Sequence, residues 1–218
     1  MGRRYRLPGN TSRNASRRST TTATWHVTSC NPRRFGRIPM TTSKWRLTKG
    51  RIGAFTEATG VLKAFAHDRW FFAPAPELDL EVDLDAASLS VPIDVSIPSV
   101  SFEPEADDLS KRELKQLLDN LRGSKVLDVR RYPTIRWHGA YVGDTTRGRL
   151  EGAAELRGRT VPLNFDVTIE LADDRAHAHA VWSGKLTDVG IAPFKALLGA
   201  IRLKDTLKIE IDAEFERQ

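Results

Sequence analysis

Cysteine is almost absent: the 218 residues hold one, Cys30. No disulfide framework and no thiolate metal site is therefore available to the rest of the chain. Long apolar runs are missing too, and no stretch approaches the ~20 residues of a membrane-spanning helix. The N-terminus carries arginines but no apolar run of about 7–15 residues, which argues against a secretory signal and for the cytoplasm. Residues 1–39 lack acids altogether and hold nine Arg. Residues 77–110 lack Lys and Arg and hold ten acids. The net charge of +6 is thus carried by the first 39 residues, since residues 40–218 hold 25 basic and 28 acidic ones. A nucleic-acid-binding fold concentrates cations on a folded face, so nucleic acid is not an expected partner of the folded part. Apolar residues make up 40% of the chain, enough for a core in one domain of this size.

The composition divides the chain at residue 40. Residues 1–39 are rich in Arg, Ser, Thr, Asn and Pro and show neither helical nor strand period. They cannot bury enough apolar surface to offset their ordering entropy, so disorder is expected. Three readings fit this tail: an Arg-cluster tether to nucleic acid or membrane, an organelle transit peptide, or translation that starts at Met40.

Residues 40–218 read as one domain of strands. Leu78-Asp-Leu-Glu-Val-Asp-Leu84 alternates apolar and acidic residues, as does the apolar set Val91, Ile93, Val95 and Ile97. Period two gives one face to a core and the other to water. Pro98 interrupts, and the phase slips to Val100 and Phe102, which predicts a bend. Further strands are expected at 134–142, 149–156, 161–171, 175–186 and 206–215, with a hairpin turn at Leu156-Arg-Gly-Arg-Thr160. Segment 161–171 read as one strand spans ~36 Å at roughly 3.3 Å per residue, which suits a tall barrel. Ser110-Lys-Arg-Glu113 is a capping box, followed by the stripe Leu114, Leu117, Leu118, Leu121 and a stop at Gly123. A second, shorter helix is expected from Pro193, with Phe194, Leu197, Leu198 and Ile201 on one face. The expected fold is all-β: an eight-stranded antiparallel barrel with two short helices behind a disordered tail. Such a barrel is filled by its own side chains or holds one small ligand. The acidic 77–110 segment and the basic 111–149 segment read as strand faces that pair, or as an electrostatic docking face.

Catalytic and metal chemistry is sparse. His67-Asp68 reads as a turn, a polar pair at a pocket mouth, or a base with its orienting carboxylate. His177 and His179 share a strand face, as a metal site could use, but no third ligand is evident. There is no Gly-x-Ser-x-Gly elbow and no Gly-rich phosphate loop. No catalytic residue, metal or cofactor is expected. Apolar surface is plentiful instead: Phe65, Trp70, Phe71 and Phe72 cluster, and Trp137 and Trp182 fall on strands.

The order of these features resembles the YceI-like family. Phe65-Ala-His67-Asp68 is similar to the family's His-Asp turn, and Lys125–Trp137 is similar to its Tyr-Pro segment. Leu150–Phe165 is similar to its Gly-Thr-x-Pro hairpin, Asp188-Val-Gly190-Ile191 to its Asp-Phe-Gly-Ile loop, and Asp205–Glu214 to its last strand. Val189 stands where the family has an aromatic, and the helix at 110–122 replaces a shorter loop. The resemblance implies a lipocalin-like barrel with an apolar tunnel, an isoprenoid ligand such as a polyprenyl or quinone tail, and a homodimer. The protein would then be a carrier or sequestering protein and not an enzyme; the alternative is a structural or stress-related module with a filled barrel. Since many members are exported, the periplasm is the alternative compartment. On this reading Phe65, Trp70, Phe72, Leu114, Leu118, Trp137, Trp182, Phe194, Leu197 and Leu198 are wall or lid contacts, and His67 meets a polar head.

Overall fold

A computed structural model describes residues 42–59, 68–193, 195–196 and 201–218. The elements run β1 (Thr42–Thr56), β2 (Ala58–Thr59), β3 (Arg69–Pro74), β4 (Asp79–Asp83), β5 (Leu89–Pro98), β6 (Glu103–Pro104) and α1 (Lys111–Arg122). They continue with β7 (Thr134–Gly143), β8 (Arg147–Leu156), β9 (Arg159–Pro162), β10 (Phe165–Ala172), β11 (Arg175–Gly184), β12 (Lys195–Ala196), β13 (Ile201–Leu203) and β14 (Leu207–Arg217). The fold is all-β and antiparallel. One strongly curled sheet has the order β5-β7-β8-β10-β11-β14-β1-β3-β6, with β4 also paired to β1 and β9 to β8.

Alternation explains the curl. On β14, Leu207, Ile209, Ile211 and Ala213 turn inward while Glu210, Asp212 and Glu214 face out. The outer face is closed by cross-strand pairs such as Arg51–Asp212 and Lys49–Glu214. Asp94 on β5 meets Arg136 on β7 at 2.5 Å, which joins the acidic and basic segments. Strand β5 is an edge, and Pro92 and Pro98 within it suppress further pairing. Among the described residues no ladder joins β4 to β5, so the sheet is a curled half-barrel and not the hydrogen-bonded ring of eight strands that was expected.

Two further expectations are corrected. Segment 161–171 is two strands, because Asn164 leaves the strand path to accept the Gly152 N–H at 2.9 Å, while the Leu163 N–H bonds Gly152 O at 3.0 Å. One α-helix is present among the described residues instead of two. Where the second was expected, β12 and β13 pair with each other and β13 pairs with β2, so their backbone bonds are met by a ladder. Residues 194 and 197–200, with Phe194, Leu197 and Leu198, lie outside the described residues. The phase slip after Pro98 is a 3-10 turn at Ser99–Ser101, anchored by the Ser99 hydroxyl donating to Tyr132 O at 2.7 Å.

The β7–β8 turn carries a pH signature. Asp144 accepts from the Thr146 hydroxyl and from the Arg147 and Thr146 N–H groups, and these bonds hold its carboxyl down at about 2. A depressed folded value stabilises the fold above the ordinary carboxylate range near 4, and that contribution is lost as pH falls from about 4 to 2. Asp144→Asn should therefore flatten the pH dependence of the urea midpoint in that window; an unchanged slope would show that the turn is not acid-sensitive.

Candidate functional site: an apolar cavity inside the sheet

The inner face of the curled sheet encloses a cavity of about 830 Å³. It runs from Leu171 and Phe215 near one end of the strands to Leu117 and Leu121 of α1 at the other. Its wall is mainly aliphatic, made by inward residues such as Val91, Val167, Ile209 and Ile211, with aromatics such as Phe165 and Trp137 between them. The space exists because small residues meet across neighbouring strands. Ala178 pairs with Ala213, and both line the cavity, so two adjacent strands present little side-chain bulk there. A closed barrel of about eight strands has just enough interior for side chains to fill; here facing alanines on β11 and β14 leave part of the interior unfilled.

Few polar groups reach the wall, and most are engaged. The Trp137 indole N–H donates to Leu163 O at 2.8 Å. The Tyr141 hydroxyl donates to Asp144 O at 2.5 Å, and burial pushes its pKa up. Trp45 lies 3% exposed in the wall, with its indole N–H buried and without a partner among the described residues. Polar residues concentrate at the α1 end. There Arg69 on β3 forks onto Asp108 with two 3.0 Å bonds, and Glu113, Gln116 and Asn120 face the cavity beside Leu117 and Leu121. The capping box forms as expected, with the Glu113 carboxylate 2.9 Å from the Ser110 N–H, and Gly123 ends the helix. No residue of α1 is fully buried, so the helix covers the cavity end without being part of the core.

The expected contact residues fall into several places. Trp137 lines the wall. Trp182 packs on the inner core at the end of β11, over Gly184, and not on the cavity itself. Trp70 and Phe72 turn out of the sheet: their rings stack 5.6 Å apart over Gly53, with Phe55 at 5.0 Å from Trp70 and the Arg51 guanidinium over Phe72. The hollow left by Gly53, opposite Phe72 in the ladder, draws the aromatics to the outer face. Phe71 lines the cavity in their place. Leu114 and Leu118 are half-buried on the flank of α1, because the helix turns the face of 113, 116, 117, 120 and 121 inward. Phe65 and His67 lie outside the described residues. His179 Nδ1 sits 2.9 Å from Asp212 on the outer face, and this bond lowers the Asp212 pKa. Among the described residues no His, Cys, Asp and Glu group has the arrangement of a metal site, and no helix is long and apolar enough to cross a membrane.

The YceI-like domain matches residues 20–215 of this sequence. The chain belongs to the YceI-like family. This YceI-like chain is also similar in fold to Burkholderia cenocepacia BcnA, at 16% identity and a TM-score of 0.53, with 76% of this chain and 95% of that one covered. A Campylobacter jejuni YceI protein aligns over 64% of this chain and 80% of its own, at 17% identity and a TM-score of 0.49. At 16% identity the likeness to BcnA speaks to fold alone. No curated protein matches the chain in sequence.

The YceI-like cavity wall is mainly the inward parity of the strands, more than the aromatics that sequence reasoning singled out. That parity was visible in Val91, Ile93, Val95 and Ile97 and in Leu207, Ile209 and Ile211. Their alternation marks one strand face, and that face lines the cavity. The alanines that create the space carry no such signal, because their importance depends on which strands become neighbours.

Proposed function

We propose that this YceI-like protein binds a long-chain, isoprenoid-type lipid inside the curled sheet, as a non-catalytic carrier or sequestering protein. The cavity of about 830 Å³ with its aliphatic wall carries the reading. Ligand pockets typically measure about 300–1,000 Å³. Away from the polar α1 end, a wall mainly of Val, Ile, Leu, Ala and Phe offers water few of the partners it needs. An apolar chain gains ~0.8 kcal/mol for each methylene it buries there, so affinity comes from length and needs no catalytic group. The elongated shape favours a polyprenyl or quinone tail over a compact ligand. Against the filled-barrel alternative stands the space beside Ala178 and Ala213, which larger side chains would close.

Solvent extraction of purified protein followed by mass spectrometry tests the proposal. One long-chain lipid per protein is expected, or stoichiometric uptake of an added polyprenyl chain by stripped protein. Repeated recovery of lipid-free protein that takes up no added chain would falsify it.

A further inference from the structure

Cations of this chain are mostly neutralised on the sheet. Lys44, Arg46, Lys49, Arg51, Arg136, Arg149 and Arg175 each meet a carboxylate across a ladder. One place differs. Around the β8–β9 turn, Lys125, Arg130, Arg131, Arg157 and Arg159 make no ion pair with any carboxylate among the described residues. They converge through the backbone. The Arg157 guanidinium donates to Gly190 O at 3.1 Å and to Ser124 O at 2.9 Å, which ties the turn to the loop after α1. The Arg159 side chain lies against Gly190, and the Tyr132 ring covers Gly158 with the Arg131 guanidinium 5.3 Å above its centre. Asp128 and Asp188 are the acids of the same loops. Asp188 is turned back to accept the Lys185 N–H at 2.9 Å. Lys125, Arg130, Arg131 and Arg159 are exposed.

This basic rim borders the cavity directly. Val126 and Leu127 line the cavity next to Lys125, Leu156 next to Arg157, and Val189 and Ile191 on either side of Gly190. At each point one residue faces the apolar interior and its neighbour carries or anchors a positive charge at the edge. Two solvents are thus matched at one boundary: hydrocarbon inside, anionic head groups outside.

We propose that this rim docks on a bilayer containing anionic lipid, so that a chain enters or leaves the cavity without crossing water. The proposal rests on the lipid-binding reading for its purpose, though not for its measurement. Cations near an anionic bilayer surface each strengthen binding by about 1 kcal/mol, roughly five-fold in partitioning. The attraction is screened within a Debye length of about 10 Å at 0.1 M salt.

The test is flotation of the full-length, lipid-stripped protein with phosphatidylcholine vesicles, with and without phosphatidylserine. Nine Arg in residues 1–39 add to any vesicle binding, so the readout is the difference between charge-matched variants of the whole chain. Lys125→Glu with Arg159→Glu should weaken partitioning onto anionic vesicles by about 25-fold or more. Arg147→Glu with Arg217→Glu, at the opposite ends of their strands, should change it less than about five-fold. Equal losses in the two double variants overturn the proposal, as does binding of the wild type to neutral vesicles as tight as to anionic ones. Tighter binding of the rim to RNA or to an acidic peptide than to anionic vesicles at the same salt also overturns it. Circular dichroism of each variant separates misfolding from lost docking, and Lys125→Gln with Arg159→Gln, which removes the two cations without adding anions, should weaken partitioning by about 25-fold, less than the reversal. Docking intact but no uptake of a polyprenyl chain from micelles removes the lipid-binding reading alone; uptake intact with docking absent removes the docking alone.

Discussion

Ala178→Trp is expected to lower polyprenyl uptake on the order of a hundredfold while leaving the fold as stable as before or more so. Ala178 faces the cavity from the middle of β11, beside Ala213 of β14 and Ile169 of β10. An indole there occupies volume that a chain would otherwise use. If it displaces about four methylenes at ~0.8 kcal/mol each, the loss is ~3 kcal/mol, which is about two decades in affinity. The stability result discriminates as strongly as the binding result. In a packed interior an inserted large side chain costs about 1–3 kcal/mol through strained rotamers, whereas in an unfilled one it gains burial. Paired measurement of chain uptake and urea midpoint therefore reads the cavity twice. A destabilised variant would mean that the inside of the sheet is already full.

Much of this arrangement could be read from residues alone, and the boundary of legibility is physical. Strand parity is local: Val91, Ile93 and Val95 declare one face within seven residues, and β5, β7, β8 and β14 follow from such patterns. The capping box at Ser110 and Glu113 is equally local. Trp70-Phe71-Phe72-Ala73 is the counter-example. Both of its faces are apolar, so nothing within the segment says which side turns inward. The decision is made by Gly53, seventeen residues away, whose missing side chain leaves a place for two rings on the outside. The helix shows the same limit. Its leucine stripe fixes an apolar face, yet the rotation that brings Gln116 and Asn120 to the cavity depends on the loops that tether both ends. The cavity itself is the least legible feature, because it depends on facing alanines, whose meaning appears only when their strands become neighbours.

Gly152→Val should be among the most destabilising single changes in the sheet, at about 3–5 kcal/mol. Gly139 and Gly152 stand opposite each other in the β7–β8 ladder, and the Trp137 ring fills the place a side chain would take on both. A Cβ on Gly152 would stand 2.6 Å from Trp137 Cζ2 and 2.9 Å from Gly139 Cα, and closer still to the His138 carbonyl. Neither backbone can yield without opening the ladder, so the ring must move. Moving it breaks the bond from the Trp137 indole to Leu163 O. Overpacking costs about 1–3 kcal/mol, and a buried carbonyl left without its donor costs a further ~1–3 kcal/mol. Against total stabilities of about 5–15 kcal/mol, that is a large fraction. Ala153→Val, one residue on and facing out, adds a β-branched side chain to an open strand face and should stay within about 0.5 kcal/mol. The contrast in denaturant midpoint between neighbouring positions isolates the stacking of Trp137 from any general intolerance of valine in β8. The displaced indole also has a place to go, since Trp137 borders the cavity. A folded fraction of Gly152→Val should accordingly bind a lipid chain more weakly than wild type, coupling the strand register to the volume that the sheet encloses.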